Sequence, residues 1–151
     1  MFRAALLSRK NRTLVYPECR TDAGFFVAME PFIVLQQDPS ATELGQALLT
    51  ALNHSGRTVP TPTDWKTFSQ PRLLAAGVKS EAAYQRNSKL VLIEMTGLKV
   101  VLKPTKNGGV KGDSKGFSEI LGSEVVISSN ENPNEIGLAA LAVLQVCADE
   151  A

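Results

Sequence analysis

The sequence predicts a single α+β domain, spanning residues 1–151, in which a mostly antiparallel sheet packs with several helices. Three observations predict it. The first 37 residues hold short apolar and β-branched runs broken by Pro and Gly. Two longer segments repeat apolar residues at helical spacing behind capping residues, and a later pair of apolar runs flanks a Thr-Gly turn. At 151 residues, 44% hydrophobic and 21% charged, the chain has the size and composition of a globular domain that buries a core without metal or disulfide.

Arg12–Tyr16 is β-branched and aromatic, and Gly24–Met29 and Phe32–Leu35 are short apolar runs separated by Glu30-Pro31. Pro17 and Pro31 mark strand ends or edges, because proline donates nothing to a ladder. Asp38-Pro39-Ser40 then ends the strands, and Ser40 with Glu43 forms a capping box that opens a helix. Leu44, Ala47, Leu48, Ala51 and Leu52 share one face of it, and Gly56 stands where a left-handed residue ends such a helix. Burying its three leucines contributes about 1.5–3 kcal/mol each.

Val59–Asp64 contains two prolines and runs extended across the surface, delivering Trp65 to a packing site. Ser80 caps a short helix through Asn87. Leu90–Glu94 and Leu98–Leu102 form a hairpin about Thr96-Gly97, where Gly supplies the positive φ of the turn. An exposed hairpin edge would offer a place for a partner strand, although the sequence does not fix which strand lies at the edge. Pro104–Gly116 is a long flexible loop rich in Gly and Lys, and Glu124–Ser128 is a further strand. Asn132, Pro133 and Glu135 open a last helix with Ile136, Ala139, Ala140, Val143, Leu144 and Cys147 on its apolar face. Both long helices carry Gly in the second turn, Gly45 and Gly137, which costs up to about 1 kcal/mol relative to Ala and points to a close backbone neighbour, the sheet being the first candidate.

Charge and motifs narrow the function. Sixteen basic and fifteen acidic residues leave a formal charge of +1, so no global field draws the protein to nucleic acid or to an acidic membrane. Cys19 and Cys147 lie outside any CxxC pair and read as buried thiols of a reducing compartment. The apolar run Ala4–Leu7 is too short for a signal-peptide core and no stretch approaches the roughly 20 residues of a membrane span, which places the protein in the cytoplasm.

Chemistry is sparse. His54, the one histidine, stands at a helix end and reads as a residue facing the helix dipole. Gly108–Gly116 lacks the Gly-Lys-Ser/Thr order of a phosphate loop. Nothing in the spacing brings Glu94 and Glu119 together as an acid–base pair. Trp65, set between two prolines and a helix, reads as a core anchor. No cofactor or metal site is expected, and the chain is expected to bind a macromolecule rather than to catalyse.

The helix Glu43-Leu44-Gly45-x-Ala47-Leu48-Leu49-x-Ala51-Leu52, the segment Val59-Pro60-x-Pro62-x-Asp64-Trp65-Lys66, Gly77-Val78-Lys79-Ser80 and the Lys- and Gly-rich loop together resemble the CdiI-type immunity proteins of bacterial contact-dependent growth inhibition. VPxPxDW followed by GVKS is the more specific part, and the likeness runs from about Gly24 to Leu144. It implies a cytoplasmic protein, not an enzyme, that binds the C-terminal toxin domain of a CdiA-type effector, commonly a nuclease. Immunity proteins of nucleases are often acidic, and the near-zero charge of this chain departs from that pattern.

Exposed loops tolerate variation and carry recognition, so toxin contact is expected at Lys106, Lys111, Asp113, Lys115 and Glu119. No direct nucleic-acid or membrane contact is expected. Two other readings stand beside this one: a small nucleic-acid-binding protein using the basic loop from Lys106 to Lys115, and an enzyme whose carboxylates and Ser/Lys residues meet only in the fold.

Overall fold

The computed structural model describes residues 1–149. In chain order the described residues form β1 (Phe2–Arg9), β2 (Arg12–Thr21), β3 (Phe26–Ala28), β4 (Ile33–Leu35), α1 (Ala41–His54), β5 (Thr58–Val59) and α2 (Trp65–Ala76). There follow α3 (Glu81–Gln85), β6 (Lys89–Thr96), β7 (Lys99–Asn107), β8 (Phe117–Glu119), β9 (Val125–Ser128), α4 (Pro133–Leu144) and β10 (Ala148–Asp149). The centre of the sheet runs β7-β6-β1-β2 and is antiparallel throughout. β3, β4 and β5 attach to β2, and β8, β9 and β10 to β7; among the described residues only β5 and β10 pair in parallel. The expected α+β class and mostly antiparallel sheet are what the chain forms.

The unbroken run Ala4–Leu7 is a central strand covered on both faces, which is why it does not alternate with polar residues. Ala4 and Leu6 join Val15, Val91, Ile93, Val100 and Leu102 beneath α1 and α4. Ala5 and Leu7 join Leu14, Tyr16 and Leu90 beneath α2 and α3. Cys19 and Cys147 are both buried, in separate places. No helix among the described residues is long and apolar enough to cross a membrane.

The Ser40–Glu43 capping box opens α1, with Glu43 N donating to Ser40 Oγ at 3.1 Å. The far end differs from expectation: Ser55 closes the helix in a right-handed conformation, its Oγ donating to Leu52 O at 2.7 Å and accepting from Arg3 N at 2.8 Å. With that carbonyl served by a hydroxyl, no left-handed residue is needed at Gly56, which instead packs against the Phe2 ring.

The close neighbours of Gly45 and Gly137 are helices and not the sheet. A Cβ on Gly45 would lie 1.7 Å from Pro133 O, the first residue of α4, and one on Gly137 would lie 1.7 Å from Ala41 O, the first residue of α1. Each helix keeps its glycine so that the other helix's first turn can rest on it.

Two prolines lie inside strands. β2 continues through Pro17, and β7 through Pro104 to Asn107, so the flexible segment expected from Pro104 onward begins only after Asn107. In a strand a residue's N–H and C=O point the same way. The Pro17 carbonyl accepts from Met29 N and that of Pro104 from Ile120 N, so each missing N–H faces a marginal segment and the central ladder loses nothing.

The hairpin turns at Gly97, whose φ is 58°, as expected. Its outer strand is not an open edge: β9 pairs with Lys99–Leu102, while β8 and β10 pair with the end of β7. α3 ends at Gln85, before Asn87, where Arg9 Nη1 collects the carbonyls of Ala83 at 2.9 Å and Tyr84 at 2.8 Å and the Ser88 hydroxyl at 2.7 Å. Arg12 serves α2 in the same way, donating to Ala75 O at 3.0 Å. Cations at these carbonyl ends complement the helix dipole.

Candidate functional site

The Lys- and Gly-rich loop is tied at its base. Gly108 N donates to Gly116 O at 2.8 Å, and Gly116 N to Gly109 O at 3.0 Å. A Cβ on Gly108 would meet Ser114 O at 1.6 Å, so the two arms of the loop touch. Beneath them the buried Asn107 donates to Gln85 O and Ser88 O, and accepts from Gln85 Nε2 and Gly109 N. The result is a short loop tied at its base, in which Lys111, Asp113 and Lys115 are exposed. Lys106 is exposed on β7, ahead of the loop.

Glu119 closes β8 and faces a different set of groups. Lys103 Nζ lies 2.9 Å from Glu94 Oε1 and 3.7 Å from Glu119 Oε1, so the fold joins through one ammonium two carboxylates that sequence spacing kept apart. On the α2 side of the sheet the row extends through Arg3, the cross-strand partner of Glu94, whose Nε reaches Glu18 Oε1 at 3.1 Å. Arg3 also lies 4.4 Å over the Phe26 ring. Glu18, Arg3, Glu94, Lys103 and Glu119 thus alternate in sign across five strands. Burial raises the Glu18 pKa despite Arg3, and the hydrogen bond to Glu94 raises that of Lys103. Three carboxylates held by two cations form a charge ladder across the sheet.

The third feature is a cleft of about 540 Å³ between β3 and the start of α2. Trp65, expected in the core, lies at its mouth and is 49% exposed. Asp64 caps α2 by accepting from Thr67 N at 3.2 Å, which fixes Trp65 as the first helical residue and turns its ring outward against Phe25 (6.0 Å) and Phe68 (5.8 Å). The loop carrying Phe25 is held in turn, because Asp22 accepts from both the backbone N–H and the hydroxyl of Thr61. These hydrogen bonds draw the Asp22 carboxyl below its ordinary range, and Thr67 does the same for Asp64. At the other wall Arg72 pairs with Glu81 and lies 4.3 Å over the Tyr84 ring, and the Tyr84 hydroxyl meets that of Tyr16 at 2.8 Å. The signal for this site in the sequence is Trp65-Lys66 directly behind a capping Asp, a pattern that by itself reads as a core feature.

His54 ends α1 with Nδ1 2.8 Å from Thr50 O, an exposed helix-end position. Among the described residues no group of three or more His, Cys, Asp or Glu side chains could hold a metal ion.

Two solved structures share the fold. A protein of unknown function from Neisseria meningitidis superposes with a TM-score of 0.73 at 20% identity, over 97% of this chain and 94% of its own. A CdiA-CT/CdiI toxin and immunity complex from Yersinia pseudotuberculosis contains a chain that superposes with a TM-score of 0.74 at 17% identity, over 97% of both chains. No curated protein matches the sequence significantly. The family model for the CDI immunity protein, CdiI, matches residues 10–147, nearly the whole chain, and the protein therefore belongs to the CDI immunity protein family.

Proposed function

We propose that this protein binds the C-terminal toxin domain of a cognate CdiA-type effector, a nuclease, and neutralises it in the cytoplasm of the producing cell. The observation that carries this reading is the family match over residues 10–147; the likeness to a chain of a toxin and immunity complex supports it. A stoichiometric inhibitor needs a stable, complementary surface and no turnover, which suits a chain whose clustered carboxylates are held by cations. The tied loop carrying Lys111, Asp113 and Lys115, with Lys106 ahead of it on β7, offers mixed charge that fits recognition by electrostatic complementarity, while Glu119 stands apart beside Lys103.

The experiment is a pull-down of the toxin domain encoded immediately upstream, followed by a nuclease assay with and without an equimolar amount of this protein. Capture with loss of nuclease activity is expected. Absence of capture at moderate salt removes the immunity reading, and capture of a toxin without nuclease activity removes only the nuclease assignment.

A further inference from the structure

We infer that the cleft between β3 and α2 receives an acidic, apolar-tipped loop of the toxin domain, an inference that rests on the immunity function proposed above. Trp65, which lines the cleft with Phe26 and Phe68, is 49% exposed, and its ring packs at 6.0 Å on Phe25, itself 42% exposed, instead of entering the core. Both are held by short polar clamps, Asp64 on Thr67 and Asp22 on Thr61, so the aromatic wall is organised before anything binds. Rigid exposed aromatics contribute strongly to binding because little conformational freedom is lost when they are covered.

Charge selects the occupant. Lys66 and Lys79 line the same cleft, both are exposed, and neither enters an ion pair among the described residues. Arg72 is already committed to Glu81 and the Tyr84 ring. An apolar wall facing two unpaired ammoniums complements an apolar side chain flanked by one or two carboxylates. A volume of about 540 Å³ admits a few side chains of a loop. Nucleic acid also stacks on Trp and pairs with Lys, but a chain of net charge +1 offers a continuous polyanion little beyond these two ammoniums, whereas one or two carboxylates of a loop are matched by them.

The test titrates the upstream-encoded toxin domain into the full-length protein, wild type, Trp65→Ala and the double variant Lys66→Glu/Lys79→Glu, with circular dichroism to verify folding. All three substituted residues are exposed, so the variants are expected to melt close to wild type. Each is expected to weaken toxin binding about tenfold or more, and the charge-reversed variant to lose part of the salt dependence. Folded variants that bind within about twofold of wild type overturn the cleft inference and leave the immunity reading standing. Weakening by Trp65→Ala alone overturns the acidic occupant, and wild-type protein that fails to bind overturns both readings. A single-stranded RNA oligonucleotide that binds the wild type and competes with the toxin for the cleft also overturns the inference, in favour of nucleic acid.

Discussion

Gly45 and Gly137 make the same contact in reverse, each receiving on its bare Cα the first residue of the helix that carries the other. Adding a methyl group at either position gains up to about 1 kcal/mol of helix propensity but drives it into a backbone carbonyl that cannot rotate away. Gly45→Ala and Gly137→Ala are each expected to destabilise by about 1–3 kcal/mol net, lowering Tm by several degrees in thermal unfolding. A neutral or stabilising result at either site would mean that the helices separate freely.

Arg9 Nη1 lies within hydrogen-bond distance of four acceptors at the end of α3, shared between its two N–H groups. Arg9→Ala leaves the partly buried carbonyls of Ala83 and Tyr84 without this donor, and a loss of about 1.5–3 kcal/mol is expected in urea titration. Amide exchange should accelerate over residues 81–88 and hardly at all in α1.

Glu18 gives stability a pH slope of known sign. Its folded pKa is raised, burial being the chief cause, so the folded state holds this proton more tightly than the unfolded chain does. Stability from this group therefore falls as pH rises from the ordinary carboxylate range through the raised value, and the penalty is complete above it. Glu18→Gln should keep an acceptor for Arg3 and flatten the stability curve across that window, read by urea titration at a series of pH values.

The tied loop tests the recognition surface independently of the cleft. Alanine at Lys111, Asp113 and Lys115 together should leave Tm nearly unchanged, since all three side chains are exposed, and should weaken toxin binding about tenfold with most of the change in association rate at low salt. Affinity within about twofold of wild type would remove this loop from the interface.

Much of the architecture is legible in the sequence because it rests on local chemistry. Ser40 with Glu43, Asn132 with Pro133, and Thr96-Gly97 each specify a boundary within four residues, and the structure has all three. α2 is obscured by Pro71 inside it and by a face with few buried residues. The strands through Pro17 and Pro104 read as shorter than they are, because which way an absent N–H points depends on neighbours that sequence does not show. Glu94 and Glu119 meet only through Lys103, across three strands brought together by register. Trp65 misleads for a related reason: a large aromatic behind a rigid turn is usually buried, and only the position of Phe25 reveals that the ring is stacked outward.

The pairing of α1 with α4 also sets when the molecule can become itself. Leu44, Leu48 and Leu52 share one buried cluster with Ile136, Ala140 and Val143, nearly a hundred residues later in the chain. During synthesis the strands and α1 can gather early, yet one face of the sheet stays greasy and open until residues 133–144 have left the ribosome. Such distant contacts make folding slow and expose the nascent chain to aggregation and proteolysis. A chain stopped before α4 would therefore be cleared rather than accumulate as a half-built inhibitor.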